Sequence, residues 1–165
     1  MKCTLRPFGA DDAGALYALT REASVRRRLP QMVMENEAHA HFFIEQCAYA
    51  IENLPPHEGA HVFAAASAEG ALIGLAGLMP GEDGGAELGY LISEKYRRQG
   101  FGQQAMAQWE ARMKGQGCAQ VLISTQVDED AQHFYRKIGY KDIGGIILDF
   151  PGYEQPMEMF MAKLL

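Results

Sequence analysis

The first third of the chain alternates between helical spacing of apolar residues and polar segments. CTLR at 3–6 predicts a short strand, and a first helix follows a capping aspartate and fades around Glu22. SVRRRLPQMVM has mixed polarity and contains a proline, so we expect a loop there. Asn36 is placed to cap a second helix with a broad apolar face, which runs to roughly Asn53 before LPPHEG stops it.

The period then changes from helical to strand-like. HVFAAAS, ALIGLAGLM and AELGYLI are short apolar runs, and AEG and PGEDGG between them have the composition of turns. Consecutive strands joined by tight turns predict an antiparallel meander. After Gly100 the helical period returns, until KGQG ends the helix. One face of this helix carries Phe101, Ala105, Met106, Trp109 and Met113.

The last third predicts a strand, a short helix and two closing strands. These are AQVLIST, DEDAQHFYRKIGY ending at Gly139, and then YKDIGGIILDF and MEMFMAKLL, which PGYEQP links. The order is β-α-α-β-β-β-α-β-α-β-β, an α+β fold with a mixed, mostly antiparallel sheet of about seven strands and four helices. The helical crossover at 100–117 would join parallel neighbours. A length of 165 residues predicts a single domain over 1–165.

Charge and composition narrow the class of protein. The net charge of −6 argues against a nucleic-acid partner, which would need a basic face. Neither a membrane-spanning run nor a secretory signal peptide is expected from the pattern. The three cysteines are far apart, which suits reduced thiols and predicts a cytoplasmic location. The five histidines lack metal-ligand spacing with cysteines or carboxylates, so we expect no metal.

YRRQGFG at 96–102 follows a predicted strand and opens a predicted helix. A helix N-terminus presents N–H groups and partial positive charge, and Gly100 and Gly102 permit close approach of an anion, with Arg97 and Arg98 nearby. Spacing alone is equally compatible with a tight turn and solvated arginines. The loop lacks the lysine of a Walker motif and the third glycine of a dinucleotide fingerprint. A nucleoside triphosphate or nicotinamide cofactor is therefore disfavoured.

Two motifs resemble those of the GNAT family of N-acetyltransferases. Arg97-Arg98-Gln99-Gly100-Phe101-Gly102 is similar to the family's acyl-coenzyme A motif, Gln/Arg-x-x-Gly-x-Gly/Ala. DEDAQHFYRKIGY is similar to the family's second motif, except that Asp128 replaces its opening asparagine. An aspartate can accept but not donate hydrogen bonds, so its contact with pantetheine is in question. The order of predicted elements is also the family's, so the resemblance covers nearly the whole chain.

The resemblance implies acetyl-CoA as the acyl donor. Pantetheine would pair with the strand backbone near Leu91 and Ile92, and the pyrophosphate would lie on the N–H groups of 98–103. The residues thereby implied in cofactor binding are Leu91, Ile92, Arg97, Arg98, Gln99, Gly100, Phe101, Gly102, Gln103 and Asp128.

The resemblance also implies direct attack of a primary amine on acetyl-CoA in a ternary complex. Tyr135 matches the family's general acid, which would protonate the departing thiolate; otherwise it is a core tyrosine. Glu87 is the candidate base because AQVLIST carries no carboxylate, although a partly exposed strand-end glutamate is an equal alternative. The oxyanion donor would be a backbone N–H near Leu91 or Ile92.

The acceptor side is implied to comprise 26–39 and 149–159, which include Glu35, Glu37, Asp149, Tyr153 and Glu154. Acidic and aromatic groups suit a cationic amine, either a small molecule or a peptide N-terminus. A non-catalytic CoA-binding sensor or interaction module of the same fold is the alternative. Both faces of MEMFMAKLL are largely apolar, so we expect a homodimer with the terminal strands at its interface, against a monomer as the alternative.

Overall fold

The computed structural model describes residues 2–56, 58–80, 86–126, 129–147 and 157–165, some of them by backbone alone. The chain divides into two compact units, Met1–Arg112 and Met113–Leu165. The expectation of one domain over 1–165 stays a prediction.

Unit 1 contains a four-stranded antiparallel sheet in the order β1-β2-β3-β4. The strands are β1 (Thr4–Arg6), β2 (His61–Ala66), β3 (Leu72–Pro80) and β4 (Ala86–Ile92). Gly74 pairs with Ile92 and Leu75 with Leu91, so the register fixes the end of β4. The predicted antiparallel meander is confirmed.

The helices of unit 1 are α1 (Ala13–Thr20), α2 (Ala23–Arg28), α3 (Glu37–Asn53) and α4 (Phe101–Gly115). Helix α4 extends three residues beyond Arg112, the last residue of unit 1. The Asn36 side chain accepts the His39 N–H at 2.9 Å, which confirms the predicted cap of α3. Apolar side chains of α1, α2 and α3 pack on the sheet. Their core includes Leu16, Leu19, Val25, Ile44, Cys47, Val62, Leu75 and Leu91.

Unit 2 contains the three-stranded antiparallel sheet β5-β7-β6 and one whole helix. Its elements are β5 (Gln120–Gln126), α5 (Glu129–Lys137), β6 (Lys141–Ile147) and β7 (Met157–Leu164). Gly139, at φ 99°, ends the turn after α5, as the sequence predicts. The buried side chains of the sheet include Val121, Ile123 and Met161.

The α+β class and the seven strands are confirmed, while the described residues form five α-helices and not four. The additional helix is α2, which lies in the segment predicted to be a loop. The start of α2 is held by hydrogen bonds with Ser93 and Glu94, which lie about 70 residues further along the chain. Local periodicity in the sequence carries no information about such contacts. Every strand pairing among the described residues is antiparallel, in one sheet of four strands and one of three, so the predicted parallel pairing of AELGYLI with AQVLIST is not formed there.

Within the described residues, every helix is too short or too polar to cross a membrane. The thiols of Cys3, Cys47 and Cys118 are free, and burial raises the pKa of Cys47 to about 12. That thiol is therefore protonated at neutral pH and chemically inert.

Candidate functional site

The loop between β4 and α4 is anchored at its base by backbone hydrogen bonds. Leu91 and Ile92 are buried at the end of β4, and the Ser93 N–H donates to the Ile73 carbonyl at 2.9 Å. A single 3₁₀ turn at Glu94–Tyr96 follows, and α4 begins at Phe101. The Phe101 ring is buried and meets Tyr96 edge-on at 6.0 Å between centroids. Both ends of the loop are thus fixed in the core of unit 1.

Two residues of this loop have left-handed backbone, Arg98 at φ 59° and Gly100 at φ 81°. Left-handed residues in a turn aim successive N–H groups to one side and create a concavity for an anion. Glycine adopts this conformation freely, whereas for an arginine it is uncommon and carries strain. A strained residue in the middle of the motif is consistent with a binding role.

The first turn of α4 adds further donors to the same loop. The Gln104 N–H makes an intrahelical bond to the Gly100 carbonyl at 3.2 Å. The N–H groups that precede it, those of Phe101, Gly102 and Gln103, are ones that a helix cannot satisfy by itself. The partial positive charge of the helix N-terminus acts at the same place. Loop and helix together can therefore hold a phosphate group.

Gly102 is required by packing. A Cβ atom on Gly102 would overlap the phenol of Tyr90, which lies against the first turn of α4. Burial raises the pKa of Tyr90, and the charge of Arg97 partly offsets that effect. Tyr90, which the sequence did not single out, thus sets how closely β4 and the start of α4 approach.

The two arginines of the motif occupy different environments. The Arg97 side chain donates from Nε to the Ile92 carbonyl at 2.9 Å and from Nη2 to Ser24 Oγ at 2.7 Å. Arg98 is exposed, as are Gln99 and Gln103, and the Gln99 amide donates to the Lys95 carbonyl at 3.1 Å. Arg97 is therefore occupied by protein groups, while the Arg98 charge faces solvent beside the loop.

A set of contacts that sequence reasoning missed joins α2 to this loop. The Glu22 carboxylate accepts the Ser93 hydroxyl at 2.6 Å and the Glu94 N–H at 2.8 Å. In return, the Glu94 carboxylate accepts the Ser24 N–H at 2.8 Å. We call these five residues the α2 clasp: Glu22, Ser24, Ser93, Glu94 and Arg97.

The α2 clasp also perturbs the acidity of one of its members. Hydrogen bonds from Ser24, and then the charges of Arg97 and Arg27, hold the pKa of the Glu94 carboxyl below its usual value. Glu94 is therefore a carboxylate at neutral pH. The partners of Glu94 lie about 70 residues away in the chain, so local sequence patterns do not reveal these contacts.

The two candidate catalytic residues lie in different units. The register of β4 places Glu87 opposite Met79, and its side chain is outside what the structure describes. Tyr135 lies on α5 and is buried, with its ring edge-on to those of Phe134 and Tyr140, each at 5.3 Å between centroids. The ring of Tyr135 is therefore held in one orientation. Asp128 lies outside the described residues.

Lys163 of β7 fixes the C-terminal end of α5. Its Nζ donates to the Ile138 carbonyl at 2.7 Å and lies 5.6 Å from the centroid of the Tyr140 ring. A cation at a helix C-terminus also interacts favourably with the helix dipole. The strand thus positions the helix that carries Tyr135.

Of the residues expected on the acceptor side, Glu35 and Glu37 are exposed, and Asp149, Tyr153 and Glu154 lie outside the described residues. Among the side chains that the structure describes, His, Cys, Asp and Glu form no group of three that could hold a metal ion. The absence of a metal stays a prediction.

Comparison with solved structures shows the same fold at low identity. A ribosomal-protein-alanine N-acetyltransferase from Brucella melitensis has a TM-score of 0.74 and 19% identity, over 98% of this chain and 99% of that chain. A spermidine N-acetyltransferase chimera involving Vibrio cholerae has a TM-score of 0.74 and 18% identity, over 99% and 96%. PaiA N-acetyltransferase from Thermoplasma acidophilum, in complex with coenzyme A, has a TM-score of 0.69 and 19% identity, over 100% of both chains.

No curated protein matches the chain. The model of the acetyltransferase (GNAT) family matches residues 19–140, which is more than half of the chain and includes both the loop and Tyr135. The resemblance of the two motifs is thereby confirmed. The chain belongs to the GNAT family of acetyltransferases.

Proposed function

We propose that this protein is an N-acetyltransferase that moves the acetyl group of acetyl-CoA to a primary amine by direct attack in a ternary complex. The observation that carries the proposal is the β4–α4 loop, where the left-handed Arg98 and Gly100 precede the first N–H groups of α4, which the helix itself cannot satisfy. This loop lies inside the segment matched by the GNAT family model. A solved neighbour of the same fold contains coenzyme A.

Acetyl-CoA would be held by backbone and by charge. Its diphosphate accepts hydrogen bonds from the N–H groups of 98–103, and the exposed Arg98 supplies positive charge. Within the described residues β4 is one of the two edge strands of the unit 1 sheet, and an edge strand can pair with an extended ligand. The amides of pantetheine would pair there, near Leu91 and Ile92.

The reaction needs a neutral amine, a stabilised oxyanion and a protonated leaving group. Glu87 takes a proton from the ammonium of the acceptor, directly or through water, so that the nitrogen lone pair can attack the thioester carbon. A backbone N–H near Leu91 or Ile92 stabilises the oxyanion that forms. The C–S bond then breaks, and the Tyr135 phenol gives its proton to the departing thiolate. The attacking nitrogen loses its second proton, which restores the Tyr135 phenol, and the products are the amide and free coenzyme A.

The acceptor is a small-molecule amine or a peptide N-terminus. Solved neighbours are named for spermidine and for a ribosomal protein, so the fold accommodates acceptors of both kinds. The net charge of −6 favours approach of a cationic acceptor. We place the reaction in the cytoplasm and expect a homodimer.

The test is a panel of amines with acetyl-CoA, read by release of free thiol. The panel includes a polyamine, an aminoglycoside, amino acids and peptides with free N-termini, and binding of coenzyme A is measured in parallel by calorimetry. We expect thiol release that depends on at least one amine. Binding without turnover across the panel would identify a coenzyme A sensor, and absence of binding would overturn the proposal altogether.

A further inference from the structure

Helix α2 is too short to be stable alone. It has six residues and ends in Arg26, Arg27 and Arg28. Isolated helices shorter than about 12 residues are marginal in water, so the position of α2 depends on tertiary contacts. The start of α2 is fixed by the buried Val25 and by the hydrogen bonds of the α2 clasp.

The α2 clasp is a network of hydrogen bonds in which one partner of each bond is charged. Ser24, on α2, donates its N–H to Glu94 and accepts Arg97 Nη2 at its hydroxyl oxygen, at 2.8 and 2.7 Å. Ser24 is buried, with 7% of its surface exposed, whereas Arg97 is half-buried and Glu94 is exposed. Hydrogen bonds with a charged partner are shorter and stronger than neutral ones.

Arg97 connects this hydrogen-bond network to the anion-binding loop. Its Nε donates to the Ile92 carbonyl at the end of β4, and its backbone leads directly into the left-handed Arg98. A guanidinium held at both ends fixes the residue from which the strained turn starts. If Ser24 released Arg97, the N–H groups of the turn would lose the orientation that a phosphate requires.

We propose that Ser24 and Glu94 are positioning residues for the coenzyme A diphosphate, acting through Arg97 on the loop that binds it. Arg97 serves as a structural tie and Arg98 as the charge that meets the ligand. The inference rests on the proposed binding of coenzyme A. It adds a residue of α2, which lies outside the loop motif, to the determinants of cofactor affinity.

Ser24→Ala tests this idea, because it removes the hydroxyl that holds Arg97 and also bonds the Glu94 carboxylate, while it keeps the N–H that bonds Glu94. We expect the Kd for coenzyme A to rise about tenfold, equivalent to about 1.4 kcal/mol. The matched control is Ser67→Ala, whose hydroxyl donates to Glu69 at 2.8 Å in the β2–β3 turn and does not belong to the α2 clasp. That control should bind coenzyme A like the wild type.

A truncated donor separates positioning from general loosening of the fold. S-acetylpantetheine lacks the nucleotide diphosphate, so kcat/KM with this donor should be equal for Ser24→Ala and wild type. With acetyl-CoA it should fall about tenfold, through KM. Equal losses with both donors would mean a merely structural role and overturn the inference.

Unchanged or tighter binding of coenzyme A by Ser24→Ala would also overturn it, by showing that a released Arg97 serves the ligand as well or better. A wild type that binds no coenzyme A would instead refute the proposed function.

Discussion

Gly100 and Gly102 stand two positions apart and are needed for different physical reasons. Gly100 has φ 81°, and a Cβ atom on it would find its nearest neighbour at 4.0 Å, so conformation and not space excludes other residues. Gly102 has the opposite constraint, because the Tyr90 ring occupies the place of its Cβ. A motif with two glycines thus combines one requirement of backbone conformation with one of packing.

Gly100→Glu should abolish stabilisation by coenzyme A. It puts a side chain and a negative charge into the turn that would hold the diphosphate. For the wild type, a ligand at about 100 times its Kd stabilises the native state by about 2.7 kcal/mol and raises Tm. The matched control is Gly70→Glu, which has the same strain at φ 86° and open space around the Cβ. Thermal unfolding with and without coenzyme A measures both; a normal shift in Gly100→Glu would show that the loop is not the cofactor site.

Tyr135→Phe should lower kcat and leave cofactor binding intact. The ring stays between Phe134 and Tyr140, so its packing is preserved, and only the phenolic hydroxyl is lost. Loss of a positioned general acid costs about 10²- to 10⁴-fold in rate. The control is Tyr140→Phe, which removes a phenol from the same aromatic group. Pre-steady-state kinetics that isolate the chemical step provide the measurement, and an unchanged rate would remove Tyr135 from the mechanism.

At the scale of secondary-structure elements, the sequence predicts the helices and strands that are determined by neighbouring residues. Asn36 caps α3 through a residue three positions away, and the predicted cap is confirmed. Helix α2 was missed because its start is stabilised by Glu94 and Arg97, which no window of neighbouring residues contains. The β4–α4 loop shows the same difference. Its glycines can be recognised from the sequence, whereas the hydrogen bond between Arg97 and Ser24 joins residues far apart in the chain and cannot be predicted from local patterns.

The junction between β1 and α1 depends on one buried carboxylate. Asp12 accepts two hydrogen bonds from the Arg6 guanidinium, at 2.6 and 2.9 Å, and one from the Gly9 N–H at 2.8 Å. The hydrogen bonds from Arg6 are the main cause of the lowered pKa of Asp12. A lowered pKa in the folded state means that Asp12 stabilises the protein above its unfolded pKa, and that this stability is lost as pH falls through the folded pKa.

Asp12→Asn should therefore lower the free energy of unfolding at pH 7 by roughly 1–3 kcal/mol, because it removes charge-assisted hydrogen bonds of a buried group. The deficit relative to wild type should shrink as the pH is lowered below about 4, the range in which aspartate titrates. Urea denaturation at pH 7 and pH 3 measures both effects. Asp11→Asn, an exposed neighbour, is the control. A deficit that stays constant between the two pH values would contradict the assignment to the Asp12 charge.

At the scale of the whole molecule, one face of the unit 2 sheet carries exposed apolar side chains. Strand alternation puts Val121, Ile123 and Met161 on the buried face, as their burial shows. Leu122 and Leu164 belong to the opposite face and are 56% and 80% exposed. Ala162, which pairs with Leu122, and Phe160 continue that face along β7. Exposed apolar area on neighbouring strands is typical of an interface.

We therefore expect a homodimer that uses this face, with a mass twice the 18.2 kDa of one chain by light scattering at micromolar concentration. Leu122→Lys places a charge in the middle of the exposed face and should shift the mass to that of the monomer, because an unpaired charge is costly to bury at an interface. The control is Phe42→Lys, which changes an apolar residue of α3 that is 59% exposed and should leave the mass unchanged. A wild-type mass of 18.2 kDa at every concentration would refute the dimer. A dimer that survives Leu122→Lys would mean that the two chains meet at another surface.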